Sequence, residues 1–303
     1  METPVRTPKH DDLIFDIGMH TGEDSEFYLR KGFRVVAFEA IPQLIASCKL
    51  RLKEFLATGQ LTIVEGAIVE PDLIAAGQKT VRFYQNSGKS DWGTVSADWA
   101  QRNERMGTSS TVIEVAAIDF TEAMRQHGVP YYMKIDIEGC DTVCIKALRG
   151  FEERPSYISI ESDKTSLENV EQEIDLFQEL GYDSFQAVEQ SQIQSVQSPP
   201  DPPREGKPLS YRFDRHSSGL FGLELSGDWK SRPEVVTQYR RIFVGYRLLG
   251  EDGLMSGWTF AGARQLRGLV RRAVRLLTHA PVPGWYDTHA RHSSVRASGP
   301  SGR

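Results

Sequence analysis

Leu13-Ile14-Phe15-Asp16-Ile17-Gly18-Met19-His20-Thr21-Gly22 is the stretch that decides the fold. A short run, apolar but for Asp16, ends at a glycine; it reads as a parallel strand covered on both faces. The glycines allow a tight turn, and residues 21–31 follow as a helix stopped by Gly32. Working outward, residues 34–38 form a second strand ended by Glu39. Pro42 opens a second helix, striped by Leu44, Ile45, Cys48 and Leu52, and residues 60–64 form a third strand ended by Glu65-Gly66. This alternation implies a Rossmann-like α/β sheet with right-handed crossovers and helices on both faces.

Further strands are expected at residues 80–85, 111–117, 131–137, 156–160 and 184–188, and helices at 120–127, 142–148 and 167–180. Residues 86–107, rich in Gly, Ser and Trp, read as a loop with a short helix. Residues 190–208 are rich in Gln, Ser and Pro, as in a linker. Ser231-Arg-Pro-Glu234 has the form of a capping box and opens a helix running to about Leu249. A second, basic helix spans about 261–277. The expected organisation is a flexible tail (1–11), a core (12–190), a linker (191–215), a C-terminal helical extension (216–290) and a disordered tail (291–303).

With 303 residues, 39% apolar and 25% charged, the composition is that of a globular protein. A formal charge of −5 gives no global field for nucleic acid. Cys48, Cys140 and Cys144 have no zinc-site spacing and suit a reducing cytoplasm. No stretch reads as a secretory signal or a membrane span, so a cytoplasmic location is expected.

Five groups of residues carry the chemistry. Asp16-Ile-Gly-Met-His-Thr-Gly22 lies between strand and helix, where free N–H groups meet an anionic ligand group. It lacks the Gly-x-Gly-x-x-Gly of dinucleotide sites, and its leading acid suits a ligand with positive charge rather than a pyrophosphate. An ammonium- and carboxylate-bearing sulfonium fits both features; a plain glycine-rich turn is the competing reading. Glu39 ends the second strand, where an acid accepts hydrogen bonds from ribose hydroxyls. Glu65-Gly66-Ala67 ends the third strand with small residues that leave room for an adenine ring. Asp136 and Glu138 end the fourth core strand on one face, able to take a proton, grip a hydroxyl or hold a divalent cation. Glu138 or Asp141 acting as a helix cap is the alternative. Glu161, after the fifth strand, borders the same crevice.

Together these residues resemble the FkbM family of methyltransferases. The matching pieces are Asp16-x-Gly-x-His-x-Gly22, Phe38-Glu-Ala40, Glu65-Gly-Ala67, Trp92-Gly-Thr94 and, most characteristic, Lys134-Ile-Asp-Ile-Glu-Gly139. The resemblance covers about residues 13–188. It implies a class I methyltransferase fold, S-adenosylmethionine as cofactor, and transfer usually to oxygen, on acceptors that are often natural products or sugars. By position, Gly18 and Gly22 would hold the amino-acid end of the cofactor, Glu39 the ribose and Ala67 the adenine neighbourhood, with Asp136 near the methyl. Asp16, His20, Ala40, Glu65 and Gly66 complete the expected cofactor-binding set. His20 stands where Asn is common in the family.

A hydroxyl acceptor must lose its proton near the transition state. Asp136 and His20 are the candidates, with Glu138 and Glu161 as helpers or metal ligands; a divalent metal is possible but not required. A neutral imidazole is a better base near pH 7 than an ordinary carboxylate. His289 is a further candidate if residues 285–289 fold over the crevice as a lid, and Trp92 and Trp99 are candidates to cover the acceptor. The competing readings are a nicotinamide-dependent oxidoreductase and a non-catalytic cofactor-binding or scaffold module. The basic helix has two readings, packing on the core or a partner subunit, which is preferred, or contact with a membrane surface. A homo-oligomer is possible.

Overall fold

The computed structural model describes residues 4–86, 93–96, 101, 109–137, 139–196, 198–250, 253–255, 257–259, 262–278 and 284–295. Glu138, Trp92 and Trp99 lie outside the described residues, as does the chain beyond residue 295.

The central sheet is built from β1 (Lys9–Ile17), β2 (Arg34–Glu39), β3 (Leu61–Glu65), β7 (Val129–Ile135), β8 (Tyr157–Glu161), β9 (Tyr182–Glu189) and β10 (Tyr286–His292). Their order is β3-β2-β1-β7-β8-β10-β9. Every pairing is parallel except that β10 runs antiparallel to both β8 and β9. The expected Rossmann-like architecture, a parallel-rich sheet with helices on both faces, is therefore present. A smaller sheet of β4 (Ala67–Ile68), β6 (Ser110–Ile118) and β5 (Thr80–Asn86) stands beside it.

Both faces of the main sheet are covered because its inner strands are apolar on both sides. Leu13, Phe15, Ile17, Met133 and Ile135 point into one core, with Val170, Ile174 and Phe177 of α7 (Leu167–Glu179) and Val236 and Tyr239 of α9 (Arg232–Leu249). Ile14, Val35, Ala37 and Tyr132 point into the other, with Phe27 and Tyr28 of α1 (Glu23–Arg30) and Cys48 of α2 (Pro42–Arg51). Each fully buried Leu, Ile, Val, Phe or Met among them contributes about 1.5–3 kcal/mol. The remaining helices are α3 (Lys53–Ala57), α4 (Pro71–Ala75), α5 (Phe120–His127), α6 (Asp141–Ala147), α8 (Ile193–Val196) and α10 (Ala263–Thr278). The capping box of Ser231 and Glu234 forms as expected.

Three expectations are corrected. Residues 4–11 are not a loose tail: Val5 N–H bonds to Gly150 O at 2.8 Å, and β1 already begins at Lys9. The stretch read as a linker has little regular structure but is packed, because its aromatics find a partner; Tyr211 and Phe213 lie 5.1 and 4.9 Å, centroid to centroid, from Phe27. The C-terminal segment is not only helical. Residues 286–292 return as β10 into the sheet, and Ser162, Tyr239 and Thr288 join in a buried triangle of hydroxyl hydrogen bonds of 2.6–2.8 Å that ties β10 to α9 and the end of β8.

Candidate active site

The strand register places the candidate residues in rows. Asp16 on β1 sits opposite Lys134 on β7, Lys134 opposite Ser159 on β8, and Ser159 opposite His289 on β10. Two residues on, the same face comes to the carboxyl edge with Gly18, Asp136, Glu161 and Asp287; Glu161 and Asp287 are direct register partners. Both rows lie on one face; the outer one borders a crevice of about 1790 Å³, and of the inner row Lys134 alone also lines it. Strand carboxyl ends are where open α/β sheets bind ligands.

The glycine turn is forced by crowding. Gly18 has φ +84°, and a Cβ there would lie 1.9 Å from the carbonyl oxygen of Asp136. Its N–H and that of Met19 both bond to Phe38 O, at 3.1 and 2.9 Å. His20 follows at φ 51°, in the left-handed region, and its N–H donates to Glu39 Oε2 at 2.8 Å. Glu39 Oε1 accepts from the N–H groups of Ala40 and Ile41, both at 2.9 Å. Burial raises the Glu39 pKa, and those three N–H bonds offset the rise only in part. A carboxylate offers about four acceptor sites, so Glu39, lining the crevice with three of them used, retains one for a ligand.

Beneath the turn, one ammonium serves three acids. Lys134 Nζ lies 3.5 Å from Asp16 and from Asp24, 3.6 Å from Asp136, and 3.2 Å from Gly18 O. Its burial opposes the charge, but Asp16, Asp136, Asp24 and Asp287 more than offset this and raise its pKa well above the ordinary value. Asp16 has no exposed surface; its Oδ2 accepts from Ser25 Oγ at 2.6 Å, while Oδ1 has no hydrogen bond. Burial raises the pKa of Asp16, pushes Asp24 up to about 6 and takes Asp287 well above the usual carboxylate range. Among the described residues no three His, Cys, Asp or Glu side chains are arranged to hold a metal ion, and Lys134 occupies the centre that a cation bridging Asp16, Asp24 and Asp136 would take.

Of the sequence candidates, Gly18, His20, Glu39, Ala40, Gly66, Ala67, Asp136 and Glu161 line the crevice. Glu161 also pairs with Lys164. Asp141 accepts from Ile137 N–H at 3.1 Å, and burial pushes its carboxyl up to about 7. Four candidates do not reach the wall. Asp16 lies buried under the turn. Gly22 packs on Cys48 and Leu52 as the N-cap of α1. Glu65 points outward, half-exposed, to Lys49. His289 is no lid residue: its segment is a sheet strand, and it sits one row too deep, 1% exposed, where burial lowers its imidazole to about 3. All three cysteines are free.

Five contributors were missed. Lys134 stood inside the most characteristic segment, and strand alternation with Asp136 was its signal. Asp287 shares a strand face with His289, and only the register shows which of them reaches the edge. Asp24 had no separate signal among the acids of α1. His216 and Ser218 come from the irregular stretch: the His216 ring lies 5.4 Å from that of His20, and Ser218 N–H donates to Asp24 Oδ1 at 2.9 Å.

Several solved structures are similar to this chain. A precorrin-6y C5,15-methyltransferase from Geobacter metallireducens is 16% identical, with a TM-score of 0.33 over 60% of this chain and 70% of that one. A methyltransferase FkbM from Methylobacillus flagellatus is 19% identical, with a TM-score of 0.31 over 51% of this chain and 33% of that one, so the match spans about a third of its length. The StiE O-MT segment is 9% identical, with a TM-score of 0.37 over 94% of this chain and 69% of that one. No curated protein matches. Residues 16–184, which hold the glycine turn, Glu39 and the Lys134–Asp136 edge, match the methyltransferase FkbM domain, and the chain belongs to that family.

Proposed function

We propose that this protein transfers a methyl group from S-adenosylmethionine to a hydroxyl oxygen of a sugar or natural-product-like small molecule. The observation that carries the cofactor assignment is the paired geometry of Gly18 and Glu39. Gly18 brings backbone close enough to Asp136 to exclude any side chain, and Glu39 holds one acceptor site open towards the crevice, suited to a ribose hydroxyl. The cationic cofactor also matches a wall whose acids, Asp24, Asp136 and Glu161 among them, outnumber its bases, Lys134 and Lys164 among them. Gly66 and Ala67 leave space for a flat ring beside the end of β3.

The cofactor, when bound, supplies an electrophilic methyl on a good leaving group. The chain must then align the acceptor, exclude water and take the proton. His20 is the residue for the proton, since it lines the crevice and a neutral imidazole suits that task. Asp136 is held 3.6 Å from Lys134 Nζ at the rim of the crevice; it positions the acceptor hydroxyl instead. Glu161 and Asp287, facing each other across β8 and β10, offer further acceptors to a polyhydroxylated substrate.

Calorimetric titration of S-adenosylmethionine, with NAD as a parallel ligand, tests the assignment. Glu39→Ala is expected to weaken binding by about 1.5–3 kcal/mol, or roughly ten- to a hundred-fold. A folded protein that ignores S-adenosylmethionine, or prefers NAD, would overturn the reading in favour of an oxidoreductase or a scaffold.

A further inference from the structure

Helix α10 carries five arginines and no acid, within a chain whose formal net charge is −5. A helix that serves only packing turns its apolar stripe inward. This one packs by a single edge: Ala263 and Val274 are buried and Val270 is half-buried, near Leu249 and Met255. At about 100° per residue, Leu266, Leu269, Ala273 and Leu276 share the neighbouring arc. The three leucines are 40, 61 and 76% exposed. The rest of the circumference holds Arg264, Arg271, Arg272 and Arg275, all exposed. Leu254, just upstream, is also exposed.

We propose that α10 lies in the plane of an anionic lipid surface, its leucine arc entering the acyl boundary and its arginines reaching the phosphates. Charge and apolar surface together select this occupant. A second copy meeting it leucine arc to leucine arc would leave the arginines, on a helix with no acid, without an anionic partner. A nucleic acid would take the arginines but offer nothing to the leucines. A lipid surface satisfies both, because arginine stems lie along apolar surface while their heads remain at the charged interface. None of the described helices is long and apolar enough to cross a membrane, so the contact is peripheral.

The test is co-sedimentation of the full chain with vesicles of phosphatidylcholine alone and of an equimolar mixture with phosphatidylglycerol. Binding is expected to the mixed vesicles only, and to fall with added salt. Each of Arg271→Gln and Arg275→Gln is expected to weaken it about five-fold. Leu269→Asp with Leu276→Asp, at exposed positions that leave the thermal midpoint unchanged, is expected to abolish it. No binding of the wild type to mixed vesicles overturns the proposal. So does binding that the leucine variants retain, since that pattern belongs to any polyanion, duplex DNA included. Concentration-dependent dimers that the leucine variants abolish, without vesicle binding, would assign the face to self-association and also overturn it. S-adenosylmethionine titration of the same samples reports on the active site separately.

Discussion

Two buried lysines stand at opposite ends of the sheet. Lys31, at the C-terminal end of α1, has no exposed side-chain surface and closes on Glu224 at 2.5 Å. Glu224 Oε1 also accepts from Arg204 N and Glu205 N, and Lys207 N–H bonds back to Lys31 O at 2.8 Å. That knot fastens the irregular stretch over the core. Lys134, nearly as buried, has its ammonium 3.2 Å from Gly18 O and divides its charge among Asp16, Asp24 and Asp136 at 3.5–3.6 Å. Burial and acidic partners are common to both. What distinguishes a site from a fastening here is bonding capacity left unused beside open space.

The largest expected effects separate the two. Lys31→Met strands a buried carboxylate and should cost about 3–5 kcal/mol in urea denaturation. Adding Glu224→Gln, which keeps the acceptor for Arg204 and Glu205, should recover most of that loss, with S-adenosylmethionine affinity unchanged throughout. Lys134→Met should cost a similar amount and also weaken cofactor binding. Asp24→Asn should not repair it, because buried Asp16 stays uncompensated. If Lys31→Met weakened cofactor binding as much as Lys134→Met, the distinction would collapse.

Next comes a pH effect at the Lys31 end. Glu205 accepts from Tyr131 OH and Leu223 N–H, both at 2.6 Å, yet burial pushes its carboxyl up to about 7. The folded state therefore keeps a proton that the unfolded chain gives up near its ordinary 4.5. Its contribution is complete below that value and is lost as pH rises through about 7, a swing of at most about 3 kcal/mol. Glu205→Gln should flatten urea-derived stability between about pH 5 and about pH 8. Glu173 and Asp141, pushed up to about 8 and about 7 by burial, act in the same sense and leave a residual slope. His289 acts oppositely, losing stability as pH falls below its ordinary 6.5 towards about 3. An unchanged slope in the variant would show that Glu205 is already ionised in the fold.

The open end was far more legible in sequence than the closed one. β1, β2 and β3 announce themselves because buried parallel strands are apolar runs, and the turn at Gly18 because no side chain fits beside Asp136. Glu39 was legible from its place at a strand end. The Lys31–Glu224 pair lies 193 residues apart in sequence, and no local pattern marks either partner. β10 was hidden for a related reason: Trp285-Tyr-Asp-Thr-His289 is a short run, and only its insertion between β8 and β9 settles that Asp287 reaches the crevice while His289 does not. Glu65 was misread because ending a strand does not fix which way a side chain turns; Lys49, on α2, draws it outward.

The smallest expected change in stability tests the open end most directly. His20 holds φ 51°, a conformation that costs a typical side chain about 1–2 kcal/mol and asparagine less. Its backbone N–H, not its ring, meets Glu39. His20→Asn should therefore raise stability by no more than about 1 kcal/mol and leave S-adenosylmethionine affinity unchanged. If the imidazole takes the acceptor's proton, single-turnover methyl transfer should nevertheless fall at least about a hundred-fold and lose its imidazole-like pH limb. A variant that is equally stable, binds equally well and transfers at the wild-type rate would show that His20 only shapes the turn. The proton would then pass to His216, whose ring lies 5.4 Å away, and the irregular stretch would supply chemistry at one end of the sheet while Lys31 anchors it at the other.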